Sequence, residues 1–152
     1  MRRNQPSSGP IYFAAAVAPL VGSLAFVGLL KLLRLDAPQL FITVTGVSYG
    51  WFWVLLLPSA MAPSQTGAMR AGAIIWISSL LSGVLLSGAV LVLILAIPHG
   101  GGSVSVAAWV AGTAALAAVS GAVTGFVFAL LAGDSLHRRT EYRQMDSGTR
   151  RK

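Results

Sequence analysis

Few side chains in this sequence could act on a substrate. There are two histidines, His99 and His137, and four acids, Asp36, Asp134, Glu141 and Asp146, with no cysteine at all. Without cysteine there can be no thiolate metal site, no disulfide framework and no Cys nucleophile. Neither histidine is read as having a second His or a close carboxylate at ligand spacing, so no metal site is expected. The G-x-S-x-G, H-E-x-x-H, Walker and dinucleotide patterns are also missing. No catalytic residue, cofactor or metal ligand is therefore expected, and the chain reads as a protein that is not an enzyme.

What the sequence does space regularly is small residues. The segment Gly46-Val-Ser-Tyr-Gly50 and the segment Gly121-Ala-Val-Thr-Gly125 both have the GxxxG form. Around the second, small residues recur at every fourth place: Thr113, Ala117, Gly121, Gly125, Ala129 and Gly133. Ser79, Gly83 and Ser87 make a third run, and Ala14, Ala18 and Gly22 a fourth. In lipid the hydrophobic effect does not drive helices together, so backbones must approach closely, and small residues allow that. Four residues turn a helix by about 400°, so the longest stripe drifts about 40° per step and is expected to face two neighbours in turn. Packing within one bundle is the expected use of Gly46, Gly50, Ser79, Gly83, Ser87, Ala117, Gly121, Gly125 and Ala129. Contact with another subunit is the alternative.

The aromatic run Tyr49-Gly50-Trp51-Phe52-Trp53 lies near the middle of an apolar stretch. Helical spacing puts Tyr49 and Trp53 on one face, with Phe52 close by and Trp51 directed elsewhere. Aromatics pack readily where glycine leaves room, so interhelical or lipid-facing bulk is expected. A hydrophobic pocket for a lipid tail, a quinone or a pigment, lined by Tyr49, Trp51 and Trp53, is the alternative. The hydroxyls of Ser48, Ser78, Ser79, Ser82, Thr113, Ser120 and Thr124 are expected mainly to bond the carbonyl one turn back. Pro19, inside the first apolar stretch, should bend its helix.

The elements that carry these residues follow from hydropathy. Of 152 residues 55% are hydrophobic and 10% charged, whereas a soluble domain carries about a quarter charged residues. Mean hydropathy is +0.76. Four apolar stretches stand out, at 11–33, 40–57, 72–97 and 104–132. A helix needs roughly 20 residues to cross about 30 Å of hydrocarbon. The second stretch is marginal in length and the fourth generous. No period-2 alternation suits a β-barrel. The predicted fold class is all-α: a polytopic integral membrane protein with a four-helix transmembrane bundle over 11–133. A short basic N-terminus, 1–10, precedes it, and a basic tail, 134–152, follows. The first stretch is too long for a signal h-region and is read as an uncleaved anchor. Pro58 and Pro63 bracket one connection, and Pro98-His-Gly-Gly-Gly-Ser103 makes another, so consecutive helices are expected to be antiparallel neighbours.

The net charge of +7 is a matter of topology. With the N-terminus inside, Arg2, Arg3, Arg70 and six tail residues lie inside, against Lys31 and Arg34 outside. The positive-inside rule then places both ends in the cytoplasm of a bacterial-type inner membrane. Trp76 and Trp109 suit aromatic belts. No titratable residue falls at mid-depth, which argues against ion-coupled transport. The polar tail is expected to be unstructured by itself, with Arg138, Arg139 and Arg143 touching anionic lipid. Expected partners are the bilayer, anionic lipids at the basic termini, and a membrane-protein partner or a second copy, but not nucleic acid. The expected function is that of an accessory, scaffold or self-associating subunit. A small permease for an uncharged or lipidic solute is the alternative.

Overall fold

The computed structural model describes residues 8–34, 38–62, 67–96 and 105–149. The Arg2-Arg3 terminus, Asp36, Pro63, the Pro98–Ser103 turn with His99, and Arg150–Lys152 lie outside the described residues, as does the side chain of Arg143. Everything regular among the described residues is helical: α1 (Gly9–Leu32), α2 (Pro38–Trp51), a π-helical turn (Phe52–Leu56), α3 (Leu57–Ala60), α4 (Gly67–Ala96) and α5 (Val106–Thr149). Four stretches of helix are long and apolar enough to cross a membrane, Gly9–Leu32, Phe41–Ala60, Met69–Leu95 and Val106–Arg139.

The second stretch is longer than its sequence suggests, because Pro58 does not end it. A proline within a helix crowds the carbonyl four residues back, here that of Val54. The chain widens to a π turn at this point, with the Leu57 N–H donating to the Phe52 carbonyl, and runs on through Pro58 to Ala60. α1 likewise continues through Pro19, and the Ser23 hydroxyl donates to the Pro19 carbonyl at 2.8 Å. It ends at Leu32, and two residues on, Arg34 has a left-handed φ of 57° and donates its N–H to the Lys31 carbonyl.

The tail departs from the unstructured segment that its polarity predicts. α5 continues without a break to Thr149. Between Gly133 and Gly148 there is no glycine or proline, and Leu, Arg, Glu, Gln and Met favour helix. Contacts one turn apart add support, an ion pair at Asp134–Arg138 (3.9 Å) and the His137 ring beside the Glu141 carboxylate (3.3 Å). Leu136 is buried with the rest of the bundle.

α5 lies between α1 and α4, antiparallel to both. Its Gly121 and Gly125 face Ser78 and Ile75 of α4, and its Ser120 and Thr124 face Gly22 of α1. α2 rests chiefly on α1 and more lightly on α4. One apolar cluster joins Ile11, Phe52, Leu57, Ala60, Ile74, Phe128 and Leu136, so the start of α1 and the cytoplasm-predicted end of α5 share one end of the bundle. A second cluster, at the other end, joins Phe26, Leu30, Val44, Leu86 and Ala117.

Candidate functional site

Between the two apolar clusters the bundle is closed by glycine and hydroxyl. A Cβ on Gly121 would run into the Ser78 carbonyl and lie 2.6 Å from Ser82 Cβ. One on Gly125 would lie 2.8 Å from Ile75 Cα, and one on Gly22 would strike the Thr124 hydroxyl. Gly83 meets the Ala114 carbonyl at 3.3 Å. Two cross-helix bonds hold the seam, Ser120 Oγ to the Gly22 carbonyl at 2.5 Å and Ser79 Oγ to the Ala118 carbonyl at 3.0 Å. Ser23, Ser78, Thr113 and Thr124 instead donate to the carbonyl one turn back, as their types predict. Gly121 and Gly125 of the α5 stripe both face α4, and Ser120 and Thr124, which lie beside the stripe, face α1. Ala117 is buried, while Ala129 is partly covered and Gly133 meets nothing. Ser87 is partly covered and donates to its own Val84 carbonyl.

The Gly46–Gly50 pair behaves differently. Both are exposed, and a Cβ on either would meet nothing within 4 Å. Packing within the bundle does not use them. They form one outward stripe of α2 with Ile42, which is 77% exposed. Gly28 and Gly88 are open too, but bulky exposed residues flank them one turn either way, Leu24 and Leu32 for one, Val84 and Val92 for the other. Among the described residues only α2 sets two open glycines one turn apart.

The aromatic run does not line one pocket. Tyr49 reaches across to α1 and donates to the Ala16 carbonyl at 2.5 Å. Trp51 turns into the core beside Phe52, which meets Phe128 edge-on at 5.0 Å. Trp53 faces out and stacks on the exposed Tyr12 at 6.2 Å. Residues two apart on a helix stand about 200° apart, so Trp51 and Trp53 face opposite ways, while Tyr49 and Trp53 both meet α1. Trp51 Nε1 and Thr45 Oγ1 are buried without a hydrogen-bond partner.

At the end of the bundle that holds both described chain ends, Arg70 is buried rather than in a solvated linker, and its guanidinium donates to the Ala62 carbonyl. Helix α4 begins at Gly67, earlier than hydropathy alone marks it, and so takes Arg70 into its first turns. Arg138 is exposed and paired, and Arg139 is partly covered. Glu141 stands beside His137, a carboxylate that the reading of spacings passes over. No group of three or more potential metal ligands occurs among the described residues. No protein-family model, curated protein or solved structure matches the chain.

Proposed function

We propose that this chain is a four-span inner-membrane protein with both ends in the cytoplasm, and that it works as an accessory or self-associating subunit through the outer face of α2. The distribution of polarity supports the membrane. Ser23, Ser78, Ser82, Ser120 and Thr124 are buried, while Phe13, Leu24, Trp76, Val84 and Leu130 are exposed. Such an inside-out order is costly in water and natural in hydrocarbon, where hydroxyls need partners and leucine does not. The basic residues support the orientation: Arg70 and the tail share one end, and Lys31 and Arg34 close the other.

The observation that carries the function is the open Gly46–Gly50 pair. Each glycine weakens a helix by about 1 kcal/mol relative to alanine, and no contact inside the chain compensates for it. A second helix approaching along Ile42, Gly46 and Gly50 would bring backbone to backbone, as the α4–α5 seam does within the chain. The test is extraction in native lipid particles followed by mass spectrometry of what stays bound. A second copy or a fixed protein partner supports the reading. Its loss in the Gly46→Leu/Gly50→Leu variant would assign it to this face. A second reading, a permease for an uncharged or lipidic solute, rests on the π turn and the unpaired Trp51 indole. A lone chain that retains a small molecule would favour it.

A further inference from the structure

Both buried side-chain polar atoms that lack a hydrogen-bond partner among the described residues, Trp51 Nε1 and Thr45 Oγ1, are carried by α2. Trp51 is 3% exposed and sits in the apolar cluster with Ile74, against which Val47 and Leu81 also pack. An indole N–H left unpaired in such surroundings is costly, and phenylalanine would fill apolar space without that cost. The helix that carries it also packs differently from the others. The α4–α5 and α1–α5 seams close on glycine, backbone to backbone, where a Cβ has no room. The Gly46 and Gly50 of α2 face outward, so this helix stands on its neighbours through whole side chains, and more lightly on α4 than on α1. A seam filled by side chains can open through rotamer changes, which a backbone seam cannot. The π turn begins at Phe52, directly after Trp51, and such turns recur at functional sites.

Depth selects the chemistry of the missing partner. Trp51 stands at the middle of the span Phe41–Ala60, with about 14 Å of helix between it and either end. Phospholipid acceptors, the ester and phosphate oxygens, lie at the edges of a hydrocarbon core about 30 Å thick and do not reach this level. No titratable side chain among the described residues stands at this depth to balance a charged ligand. Thr45 lies about 9 Å further along the helix, and its hydroxyl can turn to the carbonyl one turn back, whereas an indole cannot, so Trp51 defines the site. We propose that the seam between α2 and α4 binds an uncharged, lipid-soluble quinone or ketone. Its carbonyl oxygen accepts the Trp51 indole N–H, and its apolar body lies among Val47, Ile74 and Leu81. The proposal rests on the membrane reading given above and on the indole of the second reading, and it needs no partner on the outer face of α2.

The test follows the indole proton itself. Trp53, Trp76 and Trp109 are 39%, 70% and 47% exposed, so the variant Trp53→Phe/Trp76→Phe/Trp109→Phe should fold, and it leaves Trp51 as the one indole. The full chain, isotope-labelled at its indole nitrogen and placed in nanodiscs, is titrated with decylbenzoquinone, and separately with decylbenzene, which has no oxygen. The quinone should move the Trp51 indole proton resonance downfield in a saturable way, and decylbenzene should not. In the chain otherwise unaltered, Trp51→Phe should weaken quinone binding about fivefold, and Trp53→Phe should leave it unchanged. The titration decides the site even if Trp51→Phe fails to fold. An unmoved resonance, or one that decylbenzene moves as far, would overturn the site. So would a cross-peak between the indole proton and water before any probe is added, since a trapped water would then be its partner. A chain that stays dissolved without lipid or detergent would instead overturn the membrane reading beneath the proposal.

Discussion

Changing Gly125 to alanine adds one methyl group where α4 and α5 already touch backbone to backbone. The new carbon would lie 2.8 Å from Ile75 Cα, 3.0 Å from the Ile74 carbonyl and 2.6 Å from the Ser78 hydroxyl. Ordinary contact begins at 3.4 Å, so the helices must part locally by about 0.6 Å. Two of the three crowded atoms are backbone and cannot swing aside. Overpacking of this kind costs about 1–3 kcal/mol, and alanine returns up to about 1 kcal/mol in helix propensity. A net loss of about 1–2 kcal/mol is expected for Gly125→Ala. The same change at Gly46 meets nothing, so in the isolated chain it should be neutral or stabilising by up to about 1 kcal/mol. Reversible unfolding in mixed micelles with rising dodecyl sulfate, followed by tryptophan fluorescence, reads both. Should Gly125→Ala unfold at the same detergent fraction as Gly46→Ala, the α4–α5 seam would not be the close contact described.

Four other substitutions are read in the same assay. Tyr49→Phe removes the bond to the Ala16 carbonyl that ties α2 to α1 and should cost about 0.5–1.5 kcal/mol; no change would mean that this bond does not hold α2 in place. Ser120→Ala removes a bond between helices, whereas Ser87→Ala removes one within a helix, so the first should cost about 0.6 kcal/mol or more and the second close to nothing. Arg34→Gly relieves a left-handed backbone at the end of α1 and should stabilise by about 0.5–1 kcal/mol, and a loss of stability would show that the arginine side chain matters more than the backbone.

Hydropathy alone made four apolar helices legible, and with them the all-helical fold, because Leu, Val, Ala and Gly run uninterrupted over helical lengths. The π turn was not legible. Pro58 reads as a stop in sequence, and only the freedom to widen one turn lets the helix pass it. Trp51 and Trp53, two residues apart, part company as a uniform 3.6-residue period expects. The helical tail was hidden for another reason: its polar composition indicates disorder, while its i,i+4 charge spacing indicates helix, and the spacing prevails in the structure. Spacing found the glycine stripes on α2 and α5 equally well but could not tell them apart. Whether a glycine faces a neighbour or open space depends on which side of the helix the bundle occupies, and that is a property of the tertiary packing.

The claim that most needs testing is that the α2 face has a partner. The measurement is the mass of the particle that the full chain forms in native lipid, for the unaltered protein and for Gly46→Leu/Gly50→Leu, with unfolding in mixed micelles confirming that both are folded. A complex larger than one chain is expected for the first and a folded single chain for the second. A single chain in both, or a complex that survives both substitutions unchanged, would contradict it.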